Sequence, residues 1–509
     1  MDNNDEIIEA LAETKPEKAW AIVHEMLIEN PVDIKALIAA TFLMRRVGAL
    51  PAAYHYGRTL VQLYPDEPVG WINYGHACAE LWLIKDAEEC YHRALKIAKT
   101  ERNQIGALLN LGSLYVDNGL FERGEKVTKE ILKIDPDHVK AKCNLALCKL
   151  ARHDWSGWKD YGLMIGSAYR IRVKYKDEPQ WDGTPNKNVV VYAEQGIGDE
   201  LSFASMIPDA AKVCKKLIFD CDGRLEGLFR RSFPNVTVYG TRVKDTKWAK
   251  EDREIDASLP VGQLGEFFRT TQSSFPGTAY LKACPIRMKQ WRSILRRPTI
   301  GIAWTGGVSR TNARNRRITL EDLLPVLSLD ADFVSLQYKD ASADIAAFKA
   351  KHPTILLTQY PWATLTHDYD DTAALVASCD YVVCIQTAVA HTAGALGVPA
   401  TVLVPKATTW RYGHEGNTIP WYKSLRVIRQ HADNEWRDEI KRAAEHVRSY
   451  LGRLPERAGE TAPDGDVRDS FDRLRTYGFA DCGTNAGLAP IGLRMWEPNE
   501  SGKTLEGQV

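Results

Sequence analysis

The spacing of apolar positions changes character once along the 509-residue chain. Up to about residue 165 apolar residues recur every three or four positions, which predicts amphipathic helices stacked against one another. From Asn188 onward, short runs of aliphatic and β-branched residues alternate with helical stretches. Strands are predicted over residues 189–193, 216–220 and 236–239, and in a second group over 299–304, 332–336, 354–357, 381–385 and 401–404, with residues 285–297 linking the groups. Such runs are apolar throughout rather than alternating, as in strands buried on both faces, and strand–helix alternation predicts parallel sheets covered by helices. Two halves of this kind leave a cleft between the carboxyl ends of their strands. A charged amphipathic helix is predicted over 434–453; the remaining tail is rich in Gly, Pro, Asp and Arg, with Phe471, Leu474, Phe479 and Trp496 needing cover.

Within the helical part Pro31 and Pro65 stand 34 residues apart. Pro68, Trp71, Tyr74, Gly75, Ala87, Tyr91 and Ala94 fall at the large and small positions of a tetratricopeptide repeat, and Leu111, Gly112, Tyr115 and Pro136 repeat them. Residues 34–67 are a weaker copy, and Leu145-Ala146 begin a partial one. The expectation is a helical solenoid over 1–165, serving as a groove for a peptide or protein partner or as a spacer. The period is lost around Asp154, where HDWSGWKDYG and then EPQWDG (178–183) supply aromatics to pack the last repeat helix onto the next domain.

Composition narrows the function classes. Lys plus Arg and Asp plus Glu are 66 each, so no global basic field draws the chain to nucleic acid or a membrane surface. The N-terminus, MDNNDEIIEA, lacks an apolar signal core, and there is no run of about 18 apolar residues, so no membrane span is expected. Ten cysteines without a C-x-x-C, with Cys143/Cys148 and Cys379/Cys384 each five apart, read as reduced core residues of a cytoplasmic protein rather than a metal or disulfide framework.

The most informative stretch is DYVVCIQTAVAHTAGALGVP, 380–399. A buried strand, a hydroxyl at the helix entrance (Thr387), the small residues from Ala388 to Leu396 and a Gly397 stop form a βα unit whose turn can hold a phosphate. His391 lies one helical turn after Thr387 and so is placed to face the same phosphate; taken alone, a helix histidine of this kind is more often structural. The first half supplies Gln195-Gly196-Ile197-Gly198-Asp199-Glu200 directly after its first strand. This is not G-x-G-x-x-G, and a carboxylate there would repel a pyrophosphate. Asp199 is suited either to accept a proton from an acceptor hydroxyl or simply to cap the helix, with Glu200 beside it at the cleft mouth. Arg310, Arg314, Arg316 and Arg317 crowd the loop after Trp304-Thr305-Gly306-Gly307, where they are either solvated or placed to neutralise a diphosphate. Asp368, Asp370 and Asp371 precede a helix and can cap it; no His/Cys/Asp set has metal-ligand spacing.

With these residues in hand, about 140 to 430 resembles the tetratricopeptide-repeat proteins that carry a heptosyltransferase-like glycosyltransferase domain of GT-B type. The matching stretches, in the family's order, are GWKDY, PQWDG, AEQGIGDELSF, GIAWTGG, RNRRITLEDLLPVL, FVSLQ, DYDDTAALVASCDYVV, QTAVAHTAGALGVP and PWYKSLRVIRQ. The resemblance implies an all-α repeat domain (1–165), two Rossmann-like halves (166–287 on the acceptor side, 288–432 on the donor side) and a C-terminal helix with an irregular tail (433–509). It implies an inverting transferase that needs no metal or other cofactor and uses a nucleotide-diphosphate sugar. Asp199 would be the general base, with Gln195, Gly196 and Gly198 binding substrate on the same loop. Trp304, Thr305, Gly306, Arg314 and Arg316 would meet the sugar diphosphate, Gln337 would lie beside the nucleotide, and Thr387, Ala388 and His391 would hold the phosphates, with Asp371, Gln386 and Arg411 also on the substrate. The acceptor would be a protein, a glycan or a modified DNA base. One departure is that the family pattern often reads Asp-Thr where this chain has Gln386-Thr387; the alternative is a repeat scaffold whose transferase-like domain does not catalyse.

Overall fold

The computed structural model describes residues 14–167, 170–242, 246–251, 254–295, 298–307, 317–365, 367–432 and 435–454. Among the described residues eight helices come first: Pro16–Glu29, Ile34–Arg46, Leu50–Leu63, Pro68–Glu80, Ile84–Ile97, Glu101–Asp117, Phe121–Ile134 and Val139–Ala151. Each packs on its successor, and Ile34–Arg46, Pro68–Glu80, Glu101–Asp117 and Val139–Ala151 also touch one another in turn, which makes the region a tetratricopeptide-type solenoid. The small–large logic of the repeat is visible at Gly75, where an added Cβ would lie 2.6 Å from Tyr91 Cε1. Tyr91 and Tyr115 are buried there with Cys78, Cys90 and Leu111.

Of the predicted junction aromatics, Trp155 and Trp158 join the solenoid to the α/β body, whereas Trp181 packs on Phe267 and Phe268 within the body. Trp155 packs on Phe275 with ring centroids 4.4 Å apart, Trp158 meets Trp410 edge-on at 5.4 Å, and the Trp158 indole N–H donates to the Arg269 carbonyl at 3.0 Å.

Ten parallel strands then form two sheets. β1 (Asn188–Tyr192), β2 (Lys216–Asp220), β3 (Thr237–Tyr239) and β4 (Ala257–Pro260) lie in the order β3-β2-β1-β4. β5 (Thr299–Ala303), β6 (Asp332–Ser335), β7 (Leu357–Gln359), β8 (Tyr381–Ile385), β9 (Ala400–Val404) and β10 (Leu425–Arg429) lie in the order β10-β9-β8-β5-β6-β7. The second is the doubly wound order, with its reversal between β5 and β8; the first reverses between β1 and β4. At these reversals the loops that follow β1, β5, β8 and β9 come together.

Two strands escape the sequence pattern, and both are sheet edges. β4 is four residues ending in proline, which an edge tolerates. In β10 an exposed arginine interrupts the apolar run. A strand predicted at 354–357 starts instead at Leu357, which takes the register position opposite Phe333, while Leu356 is exposed. The C-terminal helix, Arg437–Leu451, lays Ile440, Ala443, Ala444 and Val447 into the core of the second sheet. No described helix is long and apolar enough to cross a membrane.

Candidate active site between the two sheets

The loop after β1 turns at Gly196 into the helix Ile197–Phe203. Asp199 caps that helix as predicted: one carboxylate oxygen accepts the Gly196 N–H at 3.1 Å. Its other oxygen lies 2.5 Å from Arg411 Nη2, on the loop after β9. The same carboxylate thus serves the helix and faces the second half. Gly198 permits the approach, since a Cβ there would lie 3.3 Å from His391 Cδ2 and 3.4 Å from Ala388 Cα. The helices that follow β1 and β8 therefore meet at their N-terminal ends.

Arg411 is the hinge of this arrangement. It is buried, packed over the Phe203 and Trp410 rings at 5.0 and 4.8 Å, and donates a second bond to Gln195 Oε1 at 3.0 Å. Its Nε–H is buried without an acceptor. Gln195 in turn donates to the Tyr161 hydroxyl at 2.9 Å. The Arg411 loop is also gripped by the solenoid. The left-handed Gly119 comes so close to it that an added Cβ would lie 2.6 Å from the Lys406 carbonyl oxygen, and His414 Nδ1 lies 3.2 Å from the Ala151 carbonyl.

From the second half, Thr305 follows β5 and is joined through its hydroxyl to the Gln337 amide, which follows β6. Gly306 lies against Thr387, whose Cγ2 would be 2.1 Å from an added Cβ. Thr387 caps its helix as predicted, accepting the Val389 N–H at 3.3 Å, and Ala388 opens that helix. Thr305, Gly306, Gln337, Thr387 and Ala388 therefore line one edge, across the β5/β8 reversal.

Several expectations are corrected. Trp304 is a core residue, 1 % exposed, packed within the cluster of the second sheet. His391 does not face outward from the helix entrance: its two ring nitrogens lie 3.2 Å from the Tyr422 and Tyr412 hydroxyls, inside a buried cage. Gln386 is buried too; its amide donates to the Thr409 hydroxyl at 2.7 Å and accepts from Thr408 at 3.3 Å. Asp371 pairs with Arg287 at 2.9 Å, beside the Arg287–Asp368 and Arg231–Asp370 pairs. Burial nevertheless lifts the Asp371 carboxyl to about 6. Arg231 comes from the first half, so its pair with Asp370 ties the halves together. Glu200 is not at the cleft mouth: it is fully buried, with one oxygen accepting the Asp222 N–H at 2.8 Å and the other without a partner. Burial pushes its carboxyl up to about 8. Arg310, Arg314 and Arg316 lie outside the described residues; Arg317 forms an isolated antiparallel bridge with Thr305.

Sequence reasoning missed the supports. Arg170 and Glu194 are a fully buried ion pair (3.0 Å) beneath the Gly-rich loop, with Arg170 also donating to the Tyr161 carbonyl at 2.7 Å. Glu194 adjoins the Gly-rich motif; nothing local marks Arg170, Tyr412 or Tyr422, which reach the site from distant segments.

No family model matches the chain. Among curated proteins, Protein FlbA of Caulobacter vibrioides is 25 % identical over 464 residues, 86 % of this chain and 76 % of FlbA. An alignment of that span runs across both the repeats and the sheets. Solved structures with some likeness include MamA (17 % identity, TM-score 0.25, 29 % of this chain and 84 % of MamA) and the TPR protein TTC0263 of Thermus thermophilus (20 %, 0.28, 32 % and 87 %). PilW, a type IV pilus biogenesis factor, is 19 % identical with a TM-score of 0.29, covering 34 % of this chain and 81 % of PilW.

Proposed function

We propose that this protein is a GT-B glycosyltransferase that moves a sugar from a nucleotide-diphosphate donor to an acceptor hydroxyl, with inversion and without a metal. The observation that carries this reading is the meeting of Asp199 and Arg411, an acid from one sheet and a cation from the other, where the two carboxyl edges converge. Each Asp199 oxygen has one partner, so each keeps a second lone pair for an acceptor proton. In the reaction Asp199 takes that proton, the acceptor oxygen bonds to the sugar carbon, and the carbon–oxygen bond to the diphosphate breaks. The departing charge falls to cations. Arg411, with its partnerless Nε–H, is one of them; Arg314 and Arg316 are assigned to the same task on sequence grounds. The helix entrance at Thr387 and Ala388 would take the phosphates, with the Thr305–Gln337 pair holding the adjoining loop in place. The repeats would present a protein acceptor.

A second reading, a repeat scaffold without catalysis, is favoured by Gln386, which is buried and committed to Thr408 and Thr409 rather than to a ligand. Thermal melting against a panel of nucleotide diphosphates and nucleotide sugars separates the two. A ligand at about 100 times its Kd adds roughly 2.7 kcal/mol, an easily measured shift. Transfer reads a selective shift, kept in Asp199→Asn while turnover is lost; the scaffold reads no shift with any nucleotide.

A further inference from the structure

A cavity of about 430 Å³ lies at the opposite end of the second sheet, where β8, β9 and β10 begin and the C-terminal helix crosses them. Lys423, Arg426 and Arg453 line it, and no aspartate or glutamate does. Among the described residues none of these three cations has a carboxylate within ion-pair distance, in a chain whose acids and bases balance overall. Solvated surface cations would explain the charge alone. They do not explain that Ser424 Oγ and His446 Nδ1, which line the same cavity, are buried atoms without a hydrogen-bond partner. Native structures leave few such groups unpaired, and each lacks an acceptor or donor that something else must supply. Burial, reinforced by Arg426, holds the His446 imidazole below its usual range, the direction an approaching anion would reverse. Tyr381 and Tyr450, ring centroids 5.0 Å apart, give the cavity an aromatic wall.

We infer that this cavity binds a small phosphate-bearing molecule: Lys423, Arg426 and Arg453 neutralise the phosphate, Ser424 and His446 fix its oxygens, and the tyrosine pair faces the organic part. Guanidinium and ammonium groups around a concave, acid-free floor suit a phosphate better than a flat polyanion. The site lies away from Asp199 and does not depend on transferase activity.

Isothermal titration of the full-length protein with pyrophosphate tests it. The Lys423→Ala/Arg426→Ala double variant changes exposed side chains, so its melting temperature is expected to match wild type. One saturable event is expected to weaken at least about tenfold in it, the loss of a charge-assisted contact. Any pyrophosphate held near Asp199 survives the double variant and is thereby told apart. Ser424→Ala and His446→Ala are expected to weaken the same event about threefold or more without altering charge at neutral pH. Equal binding by wild type and the double variant, or no saturable event in wild type, overturns the inference. So does loss with the charge variant but none with Ser424→Ala and His446→Ala, which would mean a diffuse ion atmosphere. Vesicles bearing phosphorylated headgroups form a second arm: binding to them but not to pyrophosphate assigns the cations to a membrane surface and overturns the small-molecule site.

Discussion

The repeats and the two-sheet body use charge in opposite ways. In the solenoid, ion pairs sit at the rim and link neighbours: Arg45 with Glu80 at 2.6 Å, Arg152 with Glu125 at 2.6 Å, each with at least one partly exposed partner. His76 and Asn110, one repeat period of 34 residues apart in the chain, join at 2.6 Å. In the body the decisive pairs are wholly or largely buried, and two of them are distant in sequence. Arg170–Glu194 is wholly enclosed, Arg231 reaches Asp370 across 139 residues, and Arg411 reaches Gln195 across 216. An array of local contacts degrades gradually when one is lost; a few enclosed charges fix one geometry and fail together.

The largest expected effect tests that claim at its strongest point. Arg170→Met leaves the Glu194 carboxylate buried opposite a thioether, which should cost about 3–5 kcal/mol of stability. Urea unfolding of the full-length protein measures it. A loss below about 1 kcal/mol would place Arg170 with the rim pairs and remove the contrast.

Next comes the place where the two regions touch. Gly119 has φ near +72° and no room for a side chain against the Lys406 carbonyl. Gly119→Ala should cost about 1–3 kcal/mol through left-handed strain and displacement of the loop. Hydrogen exchange is the sharper readout: faster exchange in 405–413, next to Arg411, with the sheets unchanged, would show that a repeat residue shapes the candidate site. Unchanged exchange there would make Gly119 a matter of the solenoid alone.

The same contrast explains what was legible in the sequence. The solenoid was readable because its rules repeat: Gly75 against Tyr91 follows from pattern and period. Central strands were readable because burial on both faces writes unbroken apolar runs, whereas β4 and β10, at the edges, carry proline and arginine that local pattern treats as interruptions. In the candidate site the capping roles of Asp199 and Thr387 were readable, since a cap acts within three residues. The partners were not. Tyr412 and Tyr422 turn His391 inward, and Arg411 closes on Asp199, through contacts set by how distant segments fold back.

Glu200 gives a smaller effect with a pH signature. Its native value near 8 stands above the ordinary carboxylate value of about 4.3, so between them the native state binds more protons than the unfolded chain. Stability from this group is therefore full below the ordinary carboxylate range and is lost as pH rises toward about 8, levelling off beyond. Glu200→Gln should flatten the fall in melting temperature between those limits and exceed wild type on the alkaline side. Parallel profiles for the two proteins would mean that Glu200 is solvated or paired in solution.

The smallest expected effect lies in the solenoid. Arg123 is half exposed; it pairs with Glu88 and lies 4.2 Å over the Tyr115 ring, whose hydroxyl donates to the same carboxylate at 2.9 Å. Arg123→Ala should cost no more than about 1 kcal/mol, because water and salt already screen both partners. Arg123→Lys keeps the charge but loses the flat guanidinium over the ring, so it should recover only the salt-sensitive share. If Arg123→Ala instead cost as much as Arg170→Met, the rim pairs would be carrying stability as the buried ones do, and exposure would no longer separate the two regions.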